Sequence, residues 1–180
     1  MRIPFITSVV LLVAFVISSL WLALVVASPF MVSRNTLEDL SGSVGVKDNG
    51  AVFKDLDTLP KAIYSIGDVE CHQISDRSYY LNGNQMPFCA RDLGLFIGLA
   101  AGFGVALFYR VRMNPLYFLL GLIPMGIDGG LQAFTSYESN NPLRLATGII
   151  AGAALAVLIS IFVQAFQMER EKARTPRLGV

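Results

Sequence analysis

The sequence predicts an all-α membrane protein: a four-transmembrane-helix bundle with a small extracytoplasmic loop domain between helices 1 and 2. Its 180 residues are 54% hydrophobic and 15% charged, whereas soluble domains carry about 25% charged residues. Three stretches have no charged residue: residues 3–33, 93–109 and 145–168. A fourth stretch, residues 113–137, has only Asp128. Because roughly 20 apolar residues span a bilayer as a helix, each stretch is long enough to cross it.

The first span, residues 4–29, is predicted to stay in the mature protein as an anchor. The apolar stretch of a cleaved secretory signal is only about 7 to 15 residues long, and this one is about twice that length. The loop domain then covers residues 30–92. The second span is predicted at residues 93–110, the third at 114–135 and the fourth at 143–168, with a cytoplasmic tail at 169–180.

Spans two and four carry small residues at every fourth position. This spacing lets two helix backbones approach closely in lipid, as in the GxxxG motif. The residues concerned are Gly94, Gly98 and Gly102 in span two and Gly148, Gly152, Ala156 and Ser160 in span four. We expect these two faces to pack on each other or on span three.

Basic residues beside the spans predict the orientation, because cytoplasmic flanks are enriched in Lys and Arg. They are Arg2, Arg110, Arg112, Arg170, Lys172, Arg174 and Arg177. Both termini are therefore expected in the cytoplasm of a prokaryote, and the loop domain outside its plasma membrane. A net charge of +1 gives no electrostatic support for binding nucleic acid. The expected partners are the lipid bilayer and other membrane-protein subunits.

The loop domain contains two local signals. Asn82-Gly83 is the preferred pair for a tight hairpin turn, and a hairpin here would fold Cys89 back toward Cys71. Short helices are expected from Asn35 or Thr36 to Leu40, ended by Gly42, and from Leu59-Pro60 onward.

Both cysteines and the only histidine lie at the end of the loop domain. Cys71 and Cys89 would form a disulfide that closes a loop of about 18 residues, which stabilises by roughly 3 kcal/mol in the chain-entropy model. Alternatively, Cys71, His72, Cys89 and Asp92 supply the S, N and O ligands of a zinc site. Adjacent Cys and His ligands are unusual because neighbouring side chains point apart. Free thiols are the third alternative.

Asp128 lies roughly 20 Å from the inner start of the third span, at 1.5 Å per residue. A carboxylate in a membrane needs a partner and usually faces the interior of the bundle, so we expect a contact with Arg91 or Arg144. The candidates for a catalytic role are Asp128, Glu138, Arg91 and Arg144. Further polar residues at the same level predict a pocket beneath the loop domain: Arg77, Gln132, Ser139, Asn141 and Thr147.

Several motifs occur in a fixed order along residues 71–152. They are Cys71-His72-Gln73, Asp76-Arg77-Ser78, Gly83, the run 86–91, Gly94, Gly98, Pro124, Asp128-Gly129, Gln132, the run 138–144 and Thr147-Gly148. On these motifs the chain resembles an uncharacterised family of small prokaryotic multipass membrane proteins, a domain of unknown function. The resemblance implies a fold and no activity.

This chain departs from the family pattern at one position. The family pattern reads Cys-Ala-Arg-Cys where this chain has Cys89-Ala90-Arg91-Asp92. The three cysteines and one histidine of the family imply a metal-ligand set. An Asp in the fourth place would supply a hard oxygen ligand instead of a soft sulfur. This change weakens the case for a metal site and strengthens the case for a disulfide.

The sequence contains no Walker loop, no H-E-x-x-H and no G-x-S-x-G motif. It favours a small integral membrane protein without catalytic activity, an accessory subunit of a membrane complex whose outer loop is stabilised by a disulfide or a metal. One alternative is a membrane-embedded enzyme acting on a lipid or quinone at the outer leaflet. Because of this alternative, the sequence leaves open whether the protein is an enzyme. The other is a component of an ion or proton pathway, with Asp128 as the relay.

Overall fold

The structure, a computed structural model, describes residues 5–109 and 114–174. Within these residues it contains, in chain order, α1 (Phe5–Ala27), α2 (Thr58–Glu70), β1 (Ser78–Leu81), β2 (Asn84–Cys89), α3 (Ala90–Phe108), α4 (Tyr117–Phe134) and α5 (Asn141–Arg174). All the helices except α2 are long and apolar enough to cross a membrane. Four of the basic flanks that predict the orientation lie outside the described residues: Arg2, Arg110, Arg112 and Arg177.

The four long helices are neighbours in the order α1, α3, α5, α4. The most extensive contact is between α3 and α5, while α1 packs on α3 and α4 packs on α5. Glycines lie at the centre of the α3–α5 contact. A Cβ atom on Gly94 or Gly98 would overlap the backbone of α5, and one on Gly148 or Gly152 would overlap the backbone of α3. The two helices therefore touch backbone to backbone, which only small residues permit.

Residues 28–89 form a folded unit, the lid domain, at one end of the helices. Its own apolar core consists of Val32, Leu37, Leu40, Phe53 and Tyr64. A second apolar cluster attaches it to α1 and α3: Val25, Ile63, Cys71, Met86, Phe88 and Leu93. The Trp21 ring of α1 contacts both Phe88 of the lid domain and Phe96 of α3, edge to face. The lid domain is thus packed directly onto the spans.

Polar side chains complete the core of the lid domain. Gln85 is fully buried; its side-chain oxygen accepts from Leu40 N at 2.8 Å, and its amide donates to Gln73 O at 2.6 Å. The buried Gln73 amide donates to Pro87 O at 2.9 Å. The Asn84 oxygen accepts from two successive backbone N–H groups, those of residues 36 and 37. Because buried polar groups must be hydrogen-bonded, these amides fix the course of a segment that has little regular structure.

The predicted hairpin is confirmed, since β1 and β2 pair antiparallel and Asn82 and Gly83 adopt φ values of 55° and 73°. The helix predicted from Leu59-Pro60 is also present, as α2. The short helix predicted to run through Leu40 is wrong, because the chain there is irregular. Asn35 and Asp39 both have positive φ, and residues in that left-handed conformation interrupt a helix.

Candidate functional site

The polar residues of the predicted site gather where the lid domain meets the helices, which we call the lid end. Two groups lie there. The thiol cluster consists of Cys71, Cys89 and Asp92. The arginine cluster consists of Arg77, Arg91, Asp128, Gln132 and Arg144. The first turn of α3 contributes to both, and this turn begins at Ala90, three residues before the predicted start.

That early start of α3 determines where Arg91 and Asp92 point. Successive side chains of an α-helix lie about 100° apart around the axis. The carboxylate of Asp92 therefore turns toward the cysteines, where its Oδ2 atom accepts a hydrogen bond from Cys89 Sγ at 3.1 Å. The guanidinium of Arg91 turns toward α4.

The thiol cluster brings three potential ligands together. One sulfur from Cys71, one from Cys89 and a carboxylate oxygen of Asp92 all lie within 4.8 Å of one another. The Cys89 backbone N–H also donates to Cys71 Sγ at 3.4 Å. The prediction that the two cysteines are near neighbours is confirmed, and their thiols are not bonded to each other.

The environment of Cys71 favours the protonated form of its thiol. The hydrogen bond to Cys89 and burial both raise the pKa of the Cys71 thiol well above its ordinary value. A raised pKa disfavours the thiolate, the nucleophilic form of cysteine. Cys71 is therefore poorly suited to act as a nucleophile while no cation compensates its charge.

His72 is not part of the thiol cluster. The structure leaves its side chain exposed, next to the buried Cys71. Cys71 has extended backbone, with φ −137° and ψ 152°, and successive side chains of an extended chain point to opposite sides. The sequence-based ligand set of Cys71, His72, Cys89 and Asp92 is thus reduced to three residues in this geometry.

Asp128 of α4 makes the contact that the sequence predicts. It is 5% exposed although it lies in a candidate membrane span, and its Oδ2 atom accepts a hydrogen bond from Arg91 Nη2 at 2.5 Å. Its other oxygen accepts from the Tyr137 hydroxyl at 3.4 Å. Both carboxylate oxygens are therefore engaged, and the ion pair ties α3 to α4.

Gln132, one turn after Asp128, joins two further arginines. With its amide oriented toward the surrounding donors, its side-chain oxygen accepts from Arg77 Nε at 3.0 Å, Arg77 Nη2 at 2.8 Å and Arg144 Nη2 at 3.0 Å. Such an orientation follows from the hydrogen-bond network. Arg144 also donates to Asn141 Oδ1 at 3.0 Å. A single amide thus links the lid domain, α4 and α5.

The remaining predicted residues lie at the rim of the arginine cluster. Glu138 is exposed and lies 4.0 Å from Arg77, so this pair contributes little. Ser139 is buried in the connection between α4 and α5. Asn141 donates to Ser78 O at 3.2 Å and holds the start of α5 against the hairpin. The Thr147 hydroxyl bonds back to carbonyls of its own helix, so it is not part of the network.

Two kinds of residue escaped the sequence-based prediction. Tyr137 contacts Asp128. In the sequence it stands nine residues after Asp128 in a short loop, and this position was the only feature that could have indicated the contact. Gln73, Asn84 and Gln85 are structural amides inside the lid domain. Gln73 belongs to the Cys71-His72-Gln73 motif, in which we considered only the potential metal ligands. Nothing in a single sequence distinguishes a buried amide in a loop from an exposed one.

The comparisons with known proteins agree with the membrane fold. A family model described as predicted membrane protein (DUF2085) matches residues 71–158. This range includes every residue of both clusters. An archaeal protein of Methanocaldococcus jannaschii, described as uncharacterized, is 36% identical over 95 residues, which are 50% of this chain and 61% of that protein. The chain therefore spans less than two thirds of that relative.

A second archaeal protein, of Methanothermobacter thermautotrophicus and also described as uncharacterized, is 37% identical over 94 residues. The match covers 51% of this chain and 85% of that protein. No solved structure matches the chain significantly.

Proposed function

Since the chain belongs to the family described as predicted membrane protein (DUF2085), we propose that it is a non-catalytic integral membrane protein that serves as an accessory subunit of a membrane complex. In this proposal its lid domain lies outside the cytoplasm, both termini lie inside, and α4 binds another subunit within the bilayer.

The observation that carries the proposal is the free glycine face of α4. Gly126 and Gly130 lie one turn apart, and among the described residues no heavy atom beyond the neighbouring backbone of α4 itself lies within 4 Å of where a Cβ atom would sit on either. Almost none of α4 is buried. Gly94 and Gly98 of α3 and Gly148 and Gly152 of α5, by contrast, are covered by each other's backbone. A GxxxG pair in a membrane helix favours close packing with another helix.

We expect Gly126→Leu and Gly130→Leu, singly or together, to dissociate the complex without unfolding the chain. A leucine would keep a partner backbone from approaching, and a loss of about 1.4 kcal/mol in association raises the dissociation constant roughly tenfold. The measurement is native electrophoresis of protein extracted from its own membranes in mild detergent. The wild type should migrate in a larger assembly and the variants as the 19.6 kDa chain.

Gly121→Leu is the matched control on the same helix. A Cβ on Gly121 would collide with the Cβ of Ala154 on α5, so this variant should lose folded protein rather than only the partner. A wild type that is itself a monomer in mild detergent would contradict the proposal, as would an assembly that keeps its size in the Gly126 and Gly130 variants.

The alternative of a membrane-embedded enzyme has less support. Proton transfer needs a group that is free to change its protonation state, and Arg91 and Tyr137 occupy both oxygens of Asp128. Glu138 is exposed at the rim. The same engagement of Asp128 argues against a role as relay in an ion or proton pathway.

We further propose that the thiol cluster holds zinc and thereby ties the lid domain to α3. Cys71, Cys89 and Asp92 supply two soft ligands and one hard ligand. Zinc–sulfur bonds of about 2.3 Å place two sulfurs roughly 3.8 Å apart in a tetrahedron, and the three ligand atoms here all lie within 4.8 Å of one another. A disulfide would use both sulfurs and leave the Asp92 carboxylate without the hydrogen bond that Cys89 donates.

Elemental analysis beside a thiol count on detergent-purified protein tests this proposal. We expect about one zinc per chain, with thiols that react with a maleimide only after a chelator is added. Cys71→Ser should abolish zinc retention, whereas His72→Ala, which changes an exposed neighbour, should retain it. A chain without zinc whose thiols stay blocked after unfolding contains the disulfide instead and contradicts the zinc proposal.

A further inference from the structure

Arg144 is a buried cation that forms no salt bridge with any carboxylate of the described residues. It is 4% exposed, and its hydrogen-bond acceptors are the neutral oxygens of Gln132 and Asn141. Its Nε atom has no partner at all among the described residues. A buried charge is costly unless it is paired with an opposite charge, and the nearest buried carboxylate, Asp128, is paired with Arg91.

The arginine cluster as a whole has an excess of positive charge. Three guanidinium groups, from Arg77, Arg91 and Arg144, face one buried carboxylate. The second acid, Glu138, has an 81% exposed side chain and lies 4.0 Å from Arg77. Screening by water makes such an exposed pair weak, so Glu138 compensates little of the excess. Nε of Arg91 is also buried without a hydrogen-bond partner in the described part of the chain.

We propose that the arginine cluster binds a phosphate group, with Arg144 and Arg77 as its principal ligands. Both side chains converge on the Gln132 oxygen at about hydrogen-bond distance, so their guanidinium groups are close enough to share one oxyanion. The planar guanidinium presents paired N–H donors that match the oxygens of a phosphate. A bound phosphate would supply the negative charge that Arg144 lacks.

The helix geometry adds to the positive potential. Of the helices that contribute to the cluster, α3 and α5 begin at the lid end and α4 ends there. Two helix N-termini, whose partial positive charge favours anions, therefore outweigh one C-terminus, whose partial charge is negative. The cluster also lies at the ends of the candidate spans, which is the level of lipid head groups in a bilayer. The phosphate can therefore come from a phospholipid head group or from solution. This inference does not depend on the accessory role proposed above.

The test uses full-length protein that has been delipidated in a phosphate-free sugar detergent. Three additions are compared at equal concentration: inorganic phosphate, phosphatidylglycerol, and a glycolipid without phosphate. The readouts are the thermal unfolding midpoint and the phosphorus that remains bound after washing. Stabilisation by phosphatidylglycerol alone identifies a head-group site, and stabilisation by inorganic phosphate identifies a soluble anion. Equal stabilisation by the glycolipid, or none by any addition, overturns the proposal.

Two variants locate the site. Arg144→Gln and Arg77→Gln should each weaken binding about 10- to 100-fold, the usual effect of losing a charged hydrogen bond. Arg77 is partly exposed on the lid domain, so its variant keeps the test valid if Arg144→Gln fails to fold. Arg34→Gln, an exposed arginine elsewhere on the lid domain, is the matched control and should bind as the wild type. Unchanged binding by a folded Arg77→Gln variant contradicts the proposed site.

Discussion

Replacing Asp128 with asparagine is expected to lower the free energy of unfolding by about 3–5 kcal/mol, the usual cost of removing one partner of a buried ion pair. The substitution preserves the shape of the side chain but leaves the Arg91 guanidinium without its carboxylate. Nε of Arg91 already lacks a hydrogen-bond partner within residues 5–109 and 114–174, so the variant would leave a second buried donor of Arg91 unsatisfied. Thermal unfolding in detergent and the amount of protein in the membrane measure the effect.

A rescue experiment separates a structural role from a chemical one. Apolar residues of similar size often replace a buried pair at little cost, so Asp128→Leu combined with Arg91→Met should recover most of the stability that Asp128→Asn loses. Glu138→Gln is the control: it removes an exposed acid and should change stability by less than about 0.5 kcal/mol. An Asp128→Asn variant that unfolds at the wild-type temperature would contradict the structural role.

Replacing Gly98 with leucine is expected to prevent stable folding of the bundle. A Cβ at this position would overlap the backbone carbonyl of Ile149 and crowd Gly152. Overpacking a core usually costs about 1–3 kcal/mol, and here the obstacle is backbone, which cannot relax by a rotamer change. The cost should therefore reach or exceed the upper end of that range, measured as loss of folded protein in detergent.

The comparison with Gly126→Leu makes the prediction for Gly98→Leu specific to the contact between α3 and α5. Both substitutions place leucine at a glycine of a membrane span, but Gly126 has open space around it and should tolerate the change as far as the single chain is concerned. Gly98→Ala, which adds the Cβ alone, should already be destabilising. A Gly98→Leu protein with wild-type abundance and unfolding temperature would show that α3 and α5 do not pack as described.

The spans and the main polar contact could be predicted from sequence because each rests on a strong physical constraint. Lipid excludes charge, so charge-free stretches mark the helices, and a lone Asp128 in such a stretch needs a cation. The Asn82-Gly83 turn was equally predictable, since few residue pairs adopt two positive φ angles. The order of the helices depends on tertiary packing, which a single sequence does not reveal. The same is true of the hydrogen bonds that two arginines donate to Gln132.

The lid domain was harder to predict for a different reason. Its core uses buried amides such as Gln73 and Gln85 to bond irregular backbone, and composition alone classes such residues as exposed. The predicted helix through Leu40 failed because Asn35 and Asp39 take left-handed backbone. At the thiol cluster, the predicted Asn82-Gly83 hairpin indicated the proximity of the two cysteines, but the exposure of His72 followed from the extended conformation of Cys71.

The position of α4 at the end of the row has a consequence for biogenesis. Of the four spans α4 has the lowest hydropathy, and it carries Pro124 and the charged Asp128. A charged residue within a span opposes insertion from the translocon. Its pairing partner Arg91 is synthesised earlier, and its packing partner α5 leaves the ribosome later. We therefore expect that Arg91 can neutralise Asp128 as soon as α4 emerges, but that α4 packs stably only after α5 has followed it, so that the last two spans settle in the bilayer as a helical hairpin.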